Sequence, residues 1–235
     1  VIELELRRSD IGFGRLVVDD TGVTRRFARS AASIAWDEVR DYRLKIEIRG
    51  ARLEVLYLVR WVDVLLMAND ARRGYRGEHR FRFGMVLLGE HKRVAFNWRF
   101  RGIAVAIAQI LQRIHPRLTL PMQAGFARHR IAQFGPLTIG EHAIRWGDKP
   151  ALARAAVESV ELFNSSPVRL RVMARRKVWP YGQAELADVP NVAAALELAE
   201  QQGYPVRGRE LLAPLGLLAV ARSQTSAQRA DTSRP

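Results

Sequence analysis

The chain has no cysteine. That excludes disulfides and thiolate metal ligands and fits a reducing compartment. Lysine is nearly missing. Lys45, Lys92, Lys149 and Lys177 are the only four, so arginine carries most of the formal net charge of +14. Acidic residues are too few to balance it in either half of the chain. A field of that sign draws anionic partners: acidic lipid, nucleic acid or an acidic protein surface. Long apolar runs are lacking too. The first residues, VIELELRRSD, alternate and then turn charged, without the apolar core of a secretory leader. The run Leu211 to Ala221 is too short to cross a bilayer and contains Pro214 and Gly216. The expected location is cytoplasmic, with peripheral attachment at the inner face of the membrane as the open alternative. Nucleophile elbow, phosphate loop, dinucleotide fingerprint and zinc-protease helix are all missing. Gly12-Phe13-Gly14 leads into a strand, where a dinucleotide site needs a helix. Asp19-Asp20 precedes Thr21-Gly22 in a turn, a poor setting for an acid/base pair. The expectation is a non-enzyme without cofactor or metal.

What is present is a repeat. Phe13 to Val23 reads FGRLVVDDTGV, and Phe134 to Trp146 reads FGPLTIGEHAIRW. At an offset of 121, Phe13 matches Phe134, Leu16 matches Leu137, and Val18 matches Ile139; Val39 and Val160 share that spacing. Each copy reads as short strands followed by one helix. Strand signals are clearest from Leu44, where apolar Leu44, Ile46 and Ile48 alternate with Lys45 and Glu47, and in Val168 to Val172. The first helix has a stripe of Ile103, Ile107, Ile110, Leu111 and Ile114, which Pro116 is expected to end. The second has Val192, Leu196 and Ala199 inward, Pro190 in its first turn, Asp188 near its free N–H groups, and Gly203 as its stop. The fold class is therefore α+β, mainly β. The expected division is a first domain over 1–117, a linker over 118–124, a shorter second domain over 125–204, and a tail over 205–235. The apolar part of the tail, 211–221, either packs across both domains or reaches a partner, and the remainder is polar, aperiodic and expected to be disordered.

FGPLTI with its short turn, IAWDEV, and ELADVPNVAAALELA carry a resemblance. The chain is similar to a bacterial family of proteins of unknown function with pleckstrin-homology-like domains. The resemblance covers roughly residues 7–204. It implies, for each copy, a bent antiparallel sheet or partly open barrel capped by a C-terminal helix. It implies no established activity. Copy one lacks the Pro-Asn that opens the helix in copy two, and copy two has Ala155-Ala156-Val157-Glu158 at the step where copy one has Trp36-Asp37-Glu38.

Two basic runs stand out as anion- or partner-binding candidates. The first is Arg72, Arg73, Arg76, Arg80 and Arg82 with Tyr75 among them. Guanidinium groups match phosphate geometry, and an aromatic beside them can stack. The alternative is a solvated loop. The second is Arg175, Arg176 and Lys177 followed by Val178 and Trp179. It reads either as an interfacial anchor or as a strand whose Trp fills the second core. Trp36, Trp61, Trp98 and Trp146 read as core anchors, Trp98 because it continues the alternation of Val94 and Phe96. Gly-Glu-His recurs at 77–79, 89–91 and 140–142, as surface turns or, less simply, as a metal pair of His79 and His91. These features point to a protein-binding adaptor, with three alternatives: an anionic-lipid or phosphoinositide module, a nucleic-acid binder without a recognised module, and an enzyme. Oligomeric state is left open.

Overall fold

The computed structural model describes residues 1–5, 14–27, 30–48 and 81–215. Four strands form a meander: β1 (Ile2–Glu5), β2 (Gly14–Val18), β3 (Gly22–Phe27) and β4 (Ser30–Ala35). A short 3-10 turn (Trp36–Glu38) leads to a second sheet of β5 (Asp41–Ile48), β6 (Phe81–Leu88) and β7 (Arg93–Asn97). The helix α1 (Ile103–His129) follows. The order then repeats. The meander is β8 (Ile131–Phe134), β9 (Leu137–Gly140), β10 (Ala143–Trp146) and β11 (Leu152–Ala153). A 3-10 turn (Arg154–Ala156) leads to β12 (Val157–Phe163), β13 (Arg169–Ala174) and β14 (Gly182–Glu185), and the helix α2 (Val192–Gln201) closes the half. The fold is α+β and mainly β, and the described residues form four sheets without a closed barrel.

The alternation seen in the sequence is what builds β5. Tyr42, Leu44, Ile46 and Ile48 are buried, while Arg43, Lys45 and Glu47 face outward. Each such buried aliphatic side chain contributes about 1.5–3 kcal/mol. The two meanders share one register. Val18 pairs with Val23 in the first hairpin, and Ile139 with Ile144 in the second, all four buried and offset by 121. One strand later the offset changes. Val23 pairs with Ile34, but Ile144 pairs with Leu152, so the β10–β11 connection is three residues shorter. From there the spacing is 118. Val39 therefore corresponds to Val157, each directly following its 3-10 turn, and not to Val160.

The helix α1 corrects a second expectation. Pro116 and Pro121 both lie inside it, and the expected linker 118–124 is helical. Each proline removes one backbone hydrogen bond at a cost of about 3 kcal/mol. Burial of Ile110, Leu111, Ile114, Thr119 and Phe126 on both sides of Pro116 offsets that. Polar contacts hold the outer face as well. Arg113 reaches Asp20 at 3.1 Å and stacks over Trp36, and Arg117 donates to the carbonyls of Trp36 and Asp37.

The described part of the tail is folded. The strand β15 (Val206–Arg207) pairs with β12, the one parallel pairing among the described residues. A 3-10 segment (Arg209–Leu215) then buries Leu211, Leu212 and Leu215 against α1 and β12. This part of the apolar run therefore packs across both halves. Gly208 permits the turn between the two: it has φ +77°, and a Cβ there would stand 2.2 Å from the Leu162 carbonyl oxygen.

Candidate interaction surfaces

A seven-residue loop between β13 and β14 carries the second basic run. Arg175, Arg176, Lys177, Val178 and Trp179 are all exposed. Trp179 is 75% exposed and Val178 is 67% exposed. The core alternative for Trp179 is thus overturned. The aromatic place in that core belongs to Trp146, which lies flat against Gly182: a Cβ at 182 would meet the indole at 2.1 Å. The loop begins and ends on fixed points. Arg175 N–H donates to the Ala156 carbonyl at 2.8 Å, and Arg176 turns the chain at φ 60°. At the far end the Tyr181 hydroxyl donates to the Pro150 carbonyl, and Lys149 Nζ donates to the Tyr181 carbonyl at 2.6 Å. Val178 and Trp179 therefore project from a braced hairpin with three cations beside them and Lys149 at its base.

Of the first basic run, Arg82 is described; Arg72, Arg73, Tyr75, Arg76 and Arg80 lie outside the described residues, as do Trp61 and His79. Arg82 stacks on Trp98, its guanidinium carbon 4.2 Å from the ring centroid, and stands 3.9 Å from Glu47. Trp98 is not a core residue. The strand β7 ends at Asn97, so the alternation stops there and Phe100 takes the buried place. Trp36 is also half-buried, its indole N–H donating to the Asp19 carbonyl at 3.0 Å.

An open cleft of about 1110 Å³ crosses the outer face of the β5–β6–β7 sheet. Its floor is Gly84, Val86 and Leu88 of the central strand. Arg43 and Lys45 stand on the β5 side, and Arg93 and Arg99 on the β7 side. Arg25 reaches across from β3, donating to the Ala95 carbonyl at 2.6 Å and stacking on Phe27. Asp188 is the one carboxylate among the described lining residues.

The halves meet through buried polar groups that no local motif signals. His115 of α1 places Nε2 3.0 Å from both carboxylate oxygens of Glu197 in α2. Both side chains are buried, Thr119 lies beside the imidazole, and Arg209 approaches Glu197 at 3.9 Å. Asn191 adopts a left-handed conformation at φ 48°. Its Oδ1 accepts from the Tyr42 N–H at 3.1 Å, and its own N–H donates to the Tyr42 carbonyl at 2.9 Å. The Val168 N–H adds a third bond, to the Ile46 carbonyl at 2.8 Å. Asn191, expected as a helix opener, also seals the edge of β5, while Asp188 sits in a 3-10 turn and caps nothing. α2 is enclosed on all sides, not on one stripe: Val192 to Ala199 are all buried. Burial pushes the Tyr42 phenol upward, and the nearby Glu197 and Asp41 charges add to this.

The remaining candidates are turns. Asp19 Oδ1 accepts from the Thr21 N–H, the Thr21 hydroxyl and the Gly22 N–H, which together hold its carboxyl below the usual range. His142 is exposed beside Ala143, and His91 is exposed next to Glu90 in the β6–β7 turn. Among the described residues no three His, Asp or Glu side chains converge as metal ligands would. None of the described helices is long and apolar enough to cross a membrane. No protein-family model matches the chain, and no curated protein matches it.

Proposed function

We propose that the chain is a non-catalytic adaptor made of two pleckstrin-homology-like domains, which docks on an anionic membrane surface through the β13–β14 loop and offers its other faces to a protein partner. The domain reading is supported by the repeated order of meander, 3-10 turn, three-stranded sheet and closing helix. The membrane reading rests on one observation: Trp179 and Val178 are exposed at a braced tip, beside Arg175, Arg176 and Lys177. An exposed indole next to cations suits the headgroup layer, where the ring is half in apolar surroundings and the charges face acidic lipid. Each cation near such a surface contributes about 1 kcal/mol. Neutralising all three thus weakens binding by about a hundredfold.

Sedimentation with vesicles of phosphatidylserine and phosphatidylcholine tests this. Binding rises with the share of phosphatidylserine, falls with added salt, and is lost in the Val178→Ser/Trp179→Ser variant. An unmodified chain that stays in the supernatant at low salt rules the membrane reading out.

A further inference from the structure

The outer face of β5–β6–β7 is a second surface, and its layout describes what it fits. The strand register arranges it in rows. Arg43 stands beside Val86 and Ala95, and Lys45 beside Gly84 and Asn97. A third row holds Asp41, Leu88 and Arg93, so one carboxylate stands at the β5 end of this row. The middle strand thus forms an apolar floor that deepens at Gly84, and cations rise on both sides. Lys45 is paired with Glu47 at 2.9 Å, and Arg43 donates to the Ala187 carbonyl and stands 3.9 Å from Asp41. Arg93 and Arg99 are exposed and make no ion pair with any described residue.

A single phosphate fits this layout poorly, because the cations are carried on opposite sides of the central strand. They flank a floor about 10 Å wide between the outer strands and about 13 Å long from Gly84 to Leu88. That is the width of one helix, and the length of about nine helical residues. We propose that the trough binds an acidic amphipathic helix of a partner protein, with its apolar stripe on Leu88, Val86 and Gly84 and its carboxylates toward Arg93, Arg99, Lys45 and Arg43. This goes beyond the membrane contact and uses none of the residues of the β13–β14 loop.

The test uses the full chain and a fluorescein-labelled helical peptide with Leu at the positions of one face and Glu elsewhere. Two controls accompany it: the same composition in scrambled order, and the same order with Lys for Glu. Fluorescence anisotropy should show binding of the ordered acidic peptide that weakens with salt and exceeds both controls. Arg93→Glu/Arg99→Glu should lower the affinity by more than about tenfold. Val86→Gln, which changes no charge, should lower it less. Trp179→Ser should leave it unchanged, so failure of the membrane reading and of this one are separable. Far-UV circular dichroism checks that each variant is folded. Absence of peptide binding overturns the proposal. So does equal binding of the scrambled peptide, or a trough variant that loses vesicle binding and keeps the peptide.

Discussion

The two halves close the same exposed edge by different means. In the first, β5 is the outer strand of its sheet among the described residues, and its edge is sealed by Asn191 and Val168 of the second half. In the second, β12 holds the equivalent place, with Val160 where the first half has Tyr42. Its edge is sealed by β15 and by the Pro205 carbonyl, which accepts from the Val160 N–H at 2.8 Å. An unpaired strand edge invites association with other chains. Here each edge is covered by the chain that follows it. The two halves differ again at their last hairpins. The β6–β7 turn is short and tied down, with Gly89 N–H on the Lys92 carbonyl and Lys92 Nζ on Glu38 at 2.6 Å. The corresponding β13–β14 loop is longer and carries Val178 and Trp179 into solvent. Within one architecture, edges serve cohesion and hairpin tips are free to diverge.

The largest expected effect comes from separating the halves electrostatically. His115→Leu leaves the Glu197 carboxylate buried without its close partner, Arg209 being more distant. That should cost about 3–5 kcal/mol, read as a lower urea midpoint. The double variant His115→Leu/Glu197→Leu should recover most of it, since two packed apolar side chains can replace a buried pair. If the single variant unfolds at the unmodified midpoint, the halves are not joined through this pair. A smaller loss, about 1–3 kcal/mol, is expected for Asn191→Ala, which leaves the Tyr42 N–H unpaired and places a Cβ residue in a left-handed turn. Asn191→Gly keeps the conformation and loses the acceptor, so its own loss reports the hydrogen bond and the difference between the two variants reports the strain.

Sensitivity to pH should also belong to one half. Asp41 lies at the position where the second half has Ser159. Burial pushes the Asp41 carboxyl up to about 6, with Arg43 and the Tyr42 N–H opposing the shift. The folded state therefore holds this proton in a window, between pH 4 and pH 6, where the unfolded chain has released it. Stability contributed by this group falls as pH rises through that window. Urea midpoints measured across it should decline less steeply for Asp41→Asn. A Ser159→Asn variant should keep the unmodified slope, and equal slopes for all three proteins would remove Asp41 as the cause. The smallest effect is at the tip. Val178→Ser/Trp179→Ser should move the unfolding free energy by no more than about 0.5 kcal/mol, because neither side chain is packed. A larger loss would mean that the tip supports the fold.

The β5 alternation, the hairpin register and the meander repeat were all legible in the sequence, because they depend on neighbours and on a period of two. The spacing error at Val39 came from a three-residue difference in a connection, which a single offset cannot absorb. The continuation of α1 through Pro116 and Pro121 was hidden because local chemistry argues for a stop, and burial on both sides of the proline decides otherwise. Trp98 was misleading for a related reason: alternation says which face a residue takes only while the strand continues. Trp179 could fill the second core only on a strand, and it lies in the loop between β13 and β14. The pairing of His115 with Glu197 spans 82 positions, and no local rule connects them. The one hint was a glutamate inside the otherwise apolar run VAAALELA, which becomes buried when α2 is enclosed on every side.

The sealing of β5 and β12 by later residues also sets an order of events during synthesis. A ribosome delivers β5 long before residues 168 and 191, and β12 before 205 to 215. Each sheet therefore spends an interval with an open border, and the first half waits longer than the second. The final cohesion of the chain arrives only when Leu211, Leu212 and Leu215 have cleared the exit tunnel and closed over α1.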